Sequence, residues 1–229
     1  RRGLCSHYLR DLAPGAELRV AVKAAPRRLP DGFAGPLSLV GAGTGLAPLY
    51  GILQDRVARG ISARPEAPAA LYAGFRGEDE FLQRAELTRW RAEGFLSRLS
   101  VAFSRKGPAK AYVQDAIDGD GATAWDVLRR PDAHLIICGD AKMAQDVEER
   151  LLQIVQREGR LGYPGALALV QEMKRQGRYI EDVWGVQLNR DVALPEVVRA
   201  KYDQGAGWLA RLGRAFVGRR AEGGSIERL

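Results

Sequence analysis

Four short stretches of this 229-residue chain carry residue types suited to chemistry. The first, Gly41-Ala42-Gly43-Thr44-Gly45-Leu46-Ala47-Pro48, follows an apolar run and opens a helical one. Glycines let a backbone approach a pyrophosphate, and a helix N-terminus offers free N–H groups and a positive dipole end. Thr44 adds a hydroxyl. The second stretch brings Ser104 and Arg105 together with Lys110, Tyr112 and Gln114. Cations and hydroxyl donors at one point suit the 2′-phosphate of an adenosine, and the Tyr112 ring can lie on the base. Arg76, after Gly74-Phe75, stands where an NAD-type ribose contact would place an acid. The third is Cys138-Gly139-Asp140-Ala141, and the fourth is Gly177–Trp184, in which Asp182 precedes an aromatic ring able to cover a flat cofactor face. Each stretch also has a plain structural reading. These are a glycine-rich turn without ligand, a solvated basic loop, a small apolar filler at Cys138, an N-cap at Asp140 and a buried aromatic at Trp184.

The elements around these stretches give them a common geometry. Strand-like apolar runs occur at Leu37–Gly41, Ala70–Gly74, Leu99–Phe103, His134–Cys138 and Tyr179–Val183. Amphipathic stretches separate them: Ala47–Arg59, Asp79–Glu93, Tyr112–Asp118 continuing to Leu128, Ala141–Glu158 and Pro164–Gln176. This alternation predicts an α/β fold, a doubly wound five-stranded parallel sheet covered by helices on both faces. Ligands in such sheets sit at the carboxyl ends of the strands, and the chemistry-bearing residues follow the strands. Residues 1–36 differ. Glu17–Ala24 alternates apolar and polar residues like a half-buried antiparallel strand, and Pro26, Pro30 and Pro36 punctuate a linker. Residues 1–36 therefore read as the end of a preceding β domain, 37–184 as the main domain and 185–229 as a basic, partly helical tail.

Composition narrows the function class. The net charge is +7, yet its 35 Lys and Arg are interleaved with 28 Asp and Glu. No nucleic-acid fold signature accompanies them, so the balance fits a polyphosphorylated cofactor or an acidic protein partner better than a nucleic acid. Two cysteines and two histidines support neither a disulfide framework nor a metal centre, and a cytoplasmic setting, or the cytoplasmic face of a membrane, is the expectation. No stretch has the length of a membrane-spanning helix.

Taken in order, these motifs resemble the C-terminal half of the diflavin reductases of the ferredoxin–NADP reductase superfamily, over Gly3 to Trp184. The family includes NADPH–cytochrome reductases and the sulfite reductase flavoprotein. The resemblance implies an NADPH-dependent flavoprotein reductase that passes a hydride to FAD for delivery to FMN, haem or another one-electron acceptor. It implies that Gly3, Leu4, Cys5 and Ser6 bind the FAD pyrophosphate, and that Gly43, Thr44 and Gly45 bind that of NADPH. Arg76, Ser104, Arg105, Lys110, Tyr112 and Gln114 would hold the 2′-phosphate and adenosine. Cys138 would lie beside the nicotinamide, Asp182 would support its developing charge, and Trp184 would stack on the flavin. Asp140, Met143 and Asp146 would make further cofactor contacts.

Three features depart from the family pattern, one being that these reductases commonly stop at or soon after the stacking aromatic, whereas this chain continues for 45 residues beyond Trp184. The family's Arg-x-Tyr-Ser flavin motif lies upstream of Gly3, so the expectation is that this chain is part of a longer protein, with the presence of an FMN domain before it left open. The loop Cys138–Ala144 is one residue shorter than usual. The implied partner is an acidic, flavodoxin-like or haem protein. A stand-alone ferredoxin-type NADP reductase and a catalytically inert nucleotide-binding or docking module are the alternatives. In the tail, Trp208, Leu212 and Phe216 fall four apart among Arg211, Arg214, Arg219 and Arg220. This pattern suits a helix for an acidic partner or membrane surface, or one packed on the protein itself.

Overall fold

The computed structural model describes residues 3–21, 33–107 and 109–185. The chain divides into two compact units, Arg1–Pro30 and Asp31–Leu229. In the first, Gly3 precedes a short exposed helix, α1 (Leu4–Arg10). Residues 17–21 form no strand, so the alternation over Glu17–Ala24 does not produce one in its described part. Alternation favours a strand only when a partner strand pairs with it. The 185–229 tail lies outside the described residues apart from Gly185.

The second unit is the expected α/β sheet. Its strands are β1 (Leu37–Ala42), β2 (Ala69–Phe75), β3 (Arg98–Phe103), β4 (His134–Asp140) and β5 (Tyr179–Trp184). All pairings are parallel, in the order β3-β2-β1-β4-β5. Alternate strand residues feed two cores, as a period of two requires. Leu37, Leu39, Leu71, Ile136 and Cys138 face one side, where α2 (Leu46–Ala58) and α3 (Arg84–Ala92) cover them. Val40, Tyr72, Leu135 and Ile137 face the other, beneath α4 (Val113–Asp118), α5 (Gly121–Leu128), α6 (Ala141–Gly159) and α7 (Tyr163–Arg175). This core begins before residue 37, because Phe33 is buried and its carbonyl accepts a hydrogen bond from the buried Arg56 guanidinium.

Two helices depart from the periodicity, each for a local reason. The stretch Asp79–Glu93 begins as a single tight turn, Glu78–Glu80, and α3 starts only at Arg84. Phe81 is drawn onto Phe75, with ring centroids 5.0 Å apart, and Gln83 takes a left-handed conformation (φ 59°) before the helix begins. The stretch Tyr112–Leu128 is broken into α4 and α5 at Gly119-Asp120. There Asp120 pairs with Arg98 of β3 at 2.5 Å and accepts from the Tyr72 hydroxyl at 3.3 Å.

The strand order reverses direction beside β1, whose neighbours are β2 and β4. Connections leave the sheet on opposite faces there, which opens a crevice at the carboxyl ends. Gly45, at the start of α2, makes the crevice tight. A Cβ at Gly45 would lie 2.1 Å from the carbonyl oxygen of Cys138, well inside van der Waals contact. Gly51, further along α2, is exposed and has open space around it. Gly45→Ala is therefore expected to destabilise the fold toward the upper end of ~1–3 kcal/mol. Gly51→Ala should stabilise it by up to about 1 kcal/mol through helix propensity. Urea denaturation of the two variants checks this, and equal shifts would contradict the packing argument.

Candidate functional site

The residues that follow the five strands open onto one cleft of about 700 Å³. Gly43 and Thr44 enter it from β1, and Arg76 from β2. Ser104 enters from β3, Asp140 ends β4 and Trp184 ends β5. Register aligns them. Ala42 pairs with Gly74, Phe75 with Phe103, and Asp140 with Trp184. The ladder continues past β2 and β3, because the Ser104 amide donates to the Phe75 carbonyl at 2.9 Å and the Arg105 amide to the Arg76 carbonyl at 2.8 Å. Arg76 and Ser104 are thus held side by side by backbone bonds.

Local sequence sets the remaining walls. Gly43 has φ 55°, a left-handed value that glycine adopts without a Cβ clash, and it turns the chain from β1 into α2. Gly74 lets α4 sit close, since a Cβ there would meet Val113 Cβ at 3.3 Å. That approach brings Tyr112 and Gln114 to the cleft. Tyr112 is 44% exposed, and its amide donates to Asp115 Oδ2 at 2.8 Å, fixing the start of α4. On the opposite wall Asp140 caps α6 by accepting from the Met143 amide at 3.0 Å. Lys142 pairs with Asp146 at 3.1 Å. Trp184 remains 48% exposed at the rim.

A model of the oxidoreductase NAD-binding domain matches residues 39–149. The NADPH–cytochrome P450 reductase of Sus scrofa is 37% identical over 191 residues, which are 80% of this chain and 28% of that protein. The nitric oxide synthase-like protein of Bombyx mori is 36% identical over 190 residues, 81% of this chain and 17% of that protein. The Homo sapiens NADPH–cytochrome P450 reductase is 34% identical over 191 residues, with the same shares as the porcine protein. The chain belongs to the diflavin reductase family. It spans under a third of the reductases it matches, and the matched domain takes in strands β1 to β4 and the glycine turn of the cleft.

Within this diflavin reductase chain, the structure sorts the sequence-predicted residues into three groups. Gly43, Thr44, Arg76, Ser104, Tyr112 and Gln114 line the cleft, as do Asp140, Met143, Asp146 and Trp184. Gly45, Arg105, Lys110, Cys138 and Asp182 are not among its lining residues. Gly45 and Cys138 are buried behind it, whereas Arg105 and Lys110 are exposed beside the lining residues Ser104 and Ala111. Gly3 precedes α1 in the first unit, and Leu4, Cys5 and Ser6 form its exposed first turn. Sequence reasoning missed Glu80 and did not assign Lys142 to the site, although both line the cleft. Glu80 lay inside a stretch with a helical pattern, where a carboxylate reads as a solvated face. Among the described residues no group of His, Cys, Asp and Glu could hold a metal ion. No described helix is long and apolar enough to cross a membrane.

Cys138 and Asp182 are register partners on β4 and β5, with the Cys138 Sγ 3.9 Å from Asp182 Oδ2. Burial, and then the neighbouring Asp182 carboxylate, push the thiol up to about 11. An acid whose folded pKa is raised from 9.0 holds its proton to higher pH in the native state. Its contribution to stability is complete below pH 9 and is lost between pH 9 and about 11. Cys138 should therefore resist iodoacetamide at neutral pH while the exposed Cys5 reacts. Asp182→Asn, by removing the adjacent charge, should bring Cys138 alkylation to lower pH. Mass spectrometry of the labelled protein across pH 7–11 checks both, and equal labelling of the two cysteines at pH 7 would contradict the assignment.

Proposed function

We propose that this chain is the NADPH-binding part of a flavoprotein reductase, which takes a hydride from NADPH into FAD for onward delivery to FMN, haem or another one-electron acceptor. The observation that carries this reading is the convergence of five strand ends on one cleft walled by a helix N-terminus, two cations, hydroxyl donors and three aromatic rings. Such a cleft fits a dinucleotide. Gly43 brings the backbone close to a pyrophosphate without a side chain in the way, in the turn that leads into the N-terminus of α2.

In this reading Ser104, Arg76, Tyr112 and Gln114 hold the adenosine and its phosphate. Arg105 and Lys110 add positive charge at the rim. Asp140, Met143 and Asp146 form the wall toward the nicotinamide. When bound, the flavin would accept the hydride that NADPH donates, and the residues around it would have to keep the site dry and oriented. Trp184 would cover the flavin face at rest and would have to move aside for the nicotinamide, acting as a gate. Cys138, held protonated behind the cleft, would stand on the nicotinamide side, and Asp182 beside it would support the positive charge that develops on the ring. Gly3, Leu4, Cys5 and Ser6 contribute to the flavin pyrophosphate site. A haem or flavodoxin-like protein is the partner, and the excess of basic residues steers an acidic one.

Binding of the adenosine half tests this without flavin. The chain should bind 2′,5′-ADP roughly tenfold or more tightly than 5′-AMP, since charge-assisted hydrogen bonds are worth about 1.5–3 kcal/mol each. Isothermal titration calorimetry provides the measurement. Absence of binding to either nucleotide would favour an inert docking module. In the intact enzyme, Trp184→Ala should weaken the preference for NADPH over NADH in kcat/KM, and an unchanged preference would count against the gate.

A further inference from the structure

The charges that line the cleft are not what a cofactor with an extra phosphate calls for. Arg76 and Lys142 are the lining cations, against Glu80, Asp140 and Asp146. Asp140 is committed to the Met143 amide and Asp146 to Lys142. Glu80 is different. Among the described residues its side chain has no ion pair or hydrogen bond. Lys106, a cation of the neighbouring loop, is occupied by Glu78 at 2.5 Å, and Arg84 by the same carboxylate at 3.1 Å. Those two ion pairs and the packing of Phe81 on Phe75 fix the turn that carries Glu80. Glu80 therefore stands as an uncompensated acceptor on the wall it shares with Arg76 and Ser104, beyond the end of β2.

We propose that Glu80 is a specificity-determining residue that sets how far the cleft favours a 2′-phosphorylated nucleotide over one with a free 2′-hydroxyl. The inference rests on the reading of the cleft as a dinucleotide site. A free 2′-hydroxyl is a donor, and a carboxylate past the second strand accepts from it, as in NAD-binding sheets. A 2′-phosphate carries close to two negative charges near neutral pH and presents acceptor oxygens. Glu80 opposes it by like charge over distances that salt does not fully screen. Arg76 and Ser104 favour the phosphate and Glu80 favours the hydroxyl, so the cleft admits both nucleotides and discriminates less than its cations alone would dictate.

The two effects have opposite signs, which gives the test its power. The full chain and its Glu80→Gln and Glu80→Ala variants are titrated calorimetrically with 2′,5′-ADP and with 5′-AMP at low ionic strength. Both variants should bind 2′,5′-ADP roughly threefold or more tightly than the unaltered chain, a gain that shrinks in high salt. Glu80→Ala, which removes the acceptor outright, should bind 5′-AMP roughly threefold more weakly. Glu80 is exposed, and unchanged circular dichroism confirms that the fold is retained. An unchanged ratio of the two affinities, or a shift of both in one direction, overturns the inference while leaving the dinucleotide site intact. Failure of the unaltered chain to bind either nucleotide overturns that site and the inference with it.

Discussion

The approach of Gly45 to the Cys138 carbonyl is the constraint on which the rest of this structure depends. It seats the first turn of α2 against the end of β4, where the two halves of a doubly wound sheet part. Any side chain at that point would lift the helix away from the sheet. The lift would move the Gly43-Thr44 turn that forms the floor of the cleft and disturb the strand end from which Asp140 projects. Cys138 is buried at this contact, directly opposite its register partner Asp182 on β5. A backbone-to-backbone contact at one residue thus couples the glycine turn of the cleft to the thiol buried behind it.

The walls are positioned by different means, and the differences matter for function. Arg76 and Ser104 are fixed by continuation of the parallel ladder beyond β2 and β3. Tyr112 is fixed by the start of α4, which Gly74 admits close to the sheet. Asp140 is held by its cap on α6. Trp184, by contrast, ends an edge strand and is only half-buried. A cleft with fixed walls next to a less constrained aromatic ring suits the gated hydride transfer proposed above.

Much of this was legible in the residues. The five strands of the second unit, their parallel direction and the cleft-facing positions Gly43, Thr44, Ser104, Tyr112, Asp140 and Trp184 follow from alternation of strand and helix periods and from residue types at strand ends, whereas the order of the strands in the sheet does not. The exceptions are instructive. The alternation over Glu17–Ala24 forms no strand in its described part, because pairing and not pattern decides a strand. The delayed start of α3 depends on Phe81 finding Phe75, a long-range contact that no local window contains. Glu80 was hidden by the same mistake, since a carboxylate within a helical pattern reads as solvent-facing until the helix proves to begin later. Arg105 and Lys110 lie outside the lining although their spacing suits a phosphate, because the turn after β3 directs only Ser104 into the cleft.

The central claim is that the segments after successive strands form a single nucleotide site. Hydrogen–deuterium exchange of the chain with and without NADP⁺ tests it most directly. The account predicts protection confined to the residues around 42–46, 74–80, 104–114 and 140–146, with the opposite pole of the sheet unchanged. Binding of NADP⁺ with protection elsewhere, or with none in these segments, would contradict it.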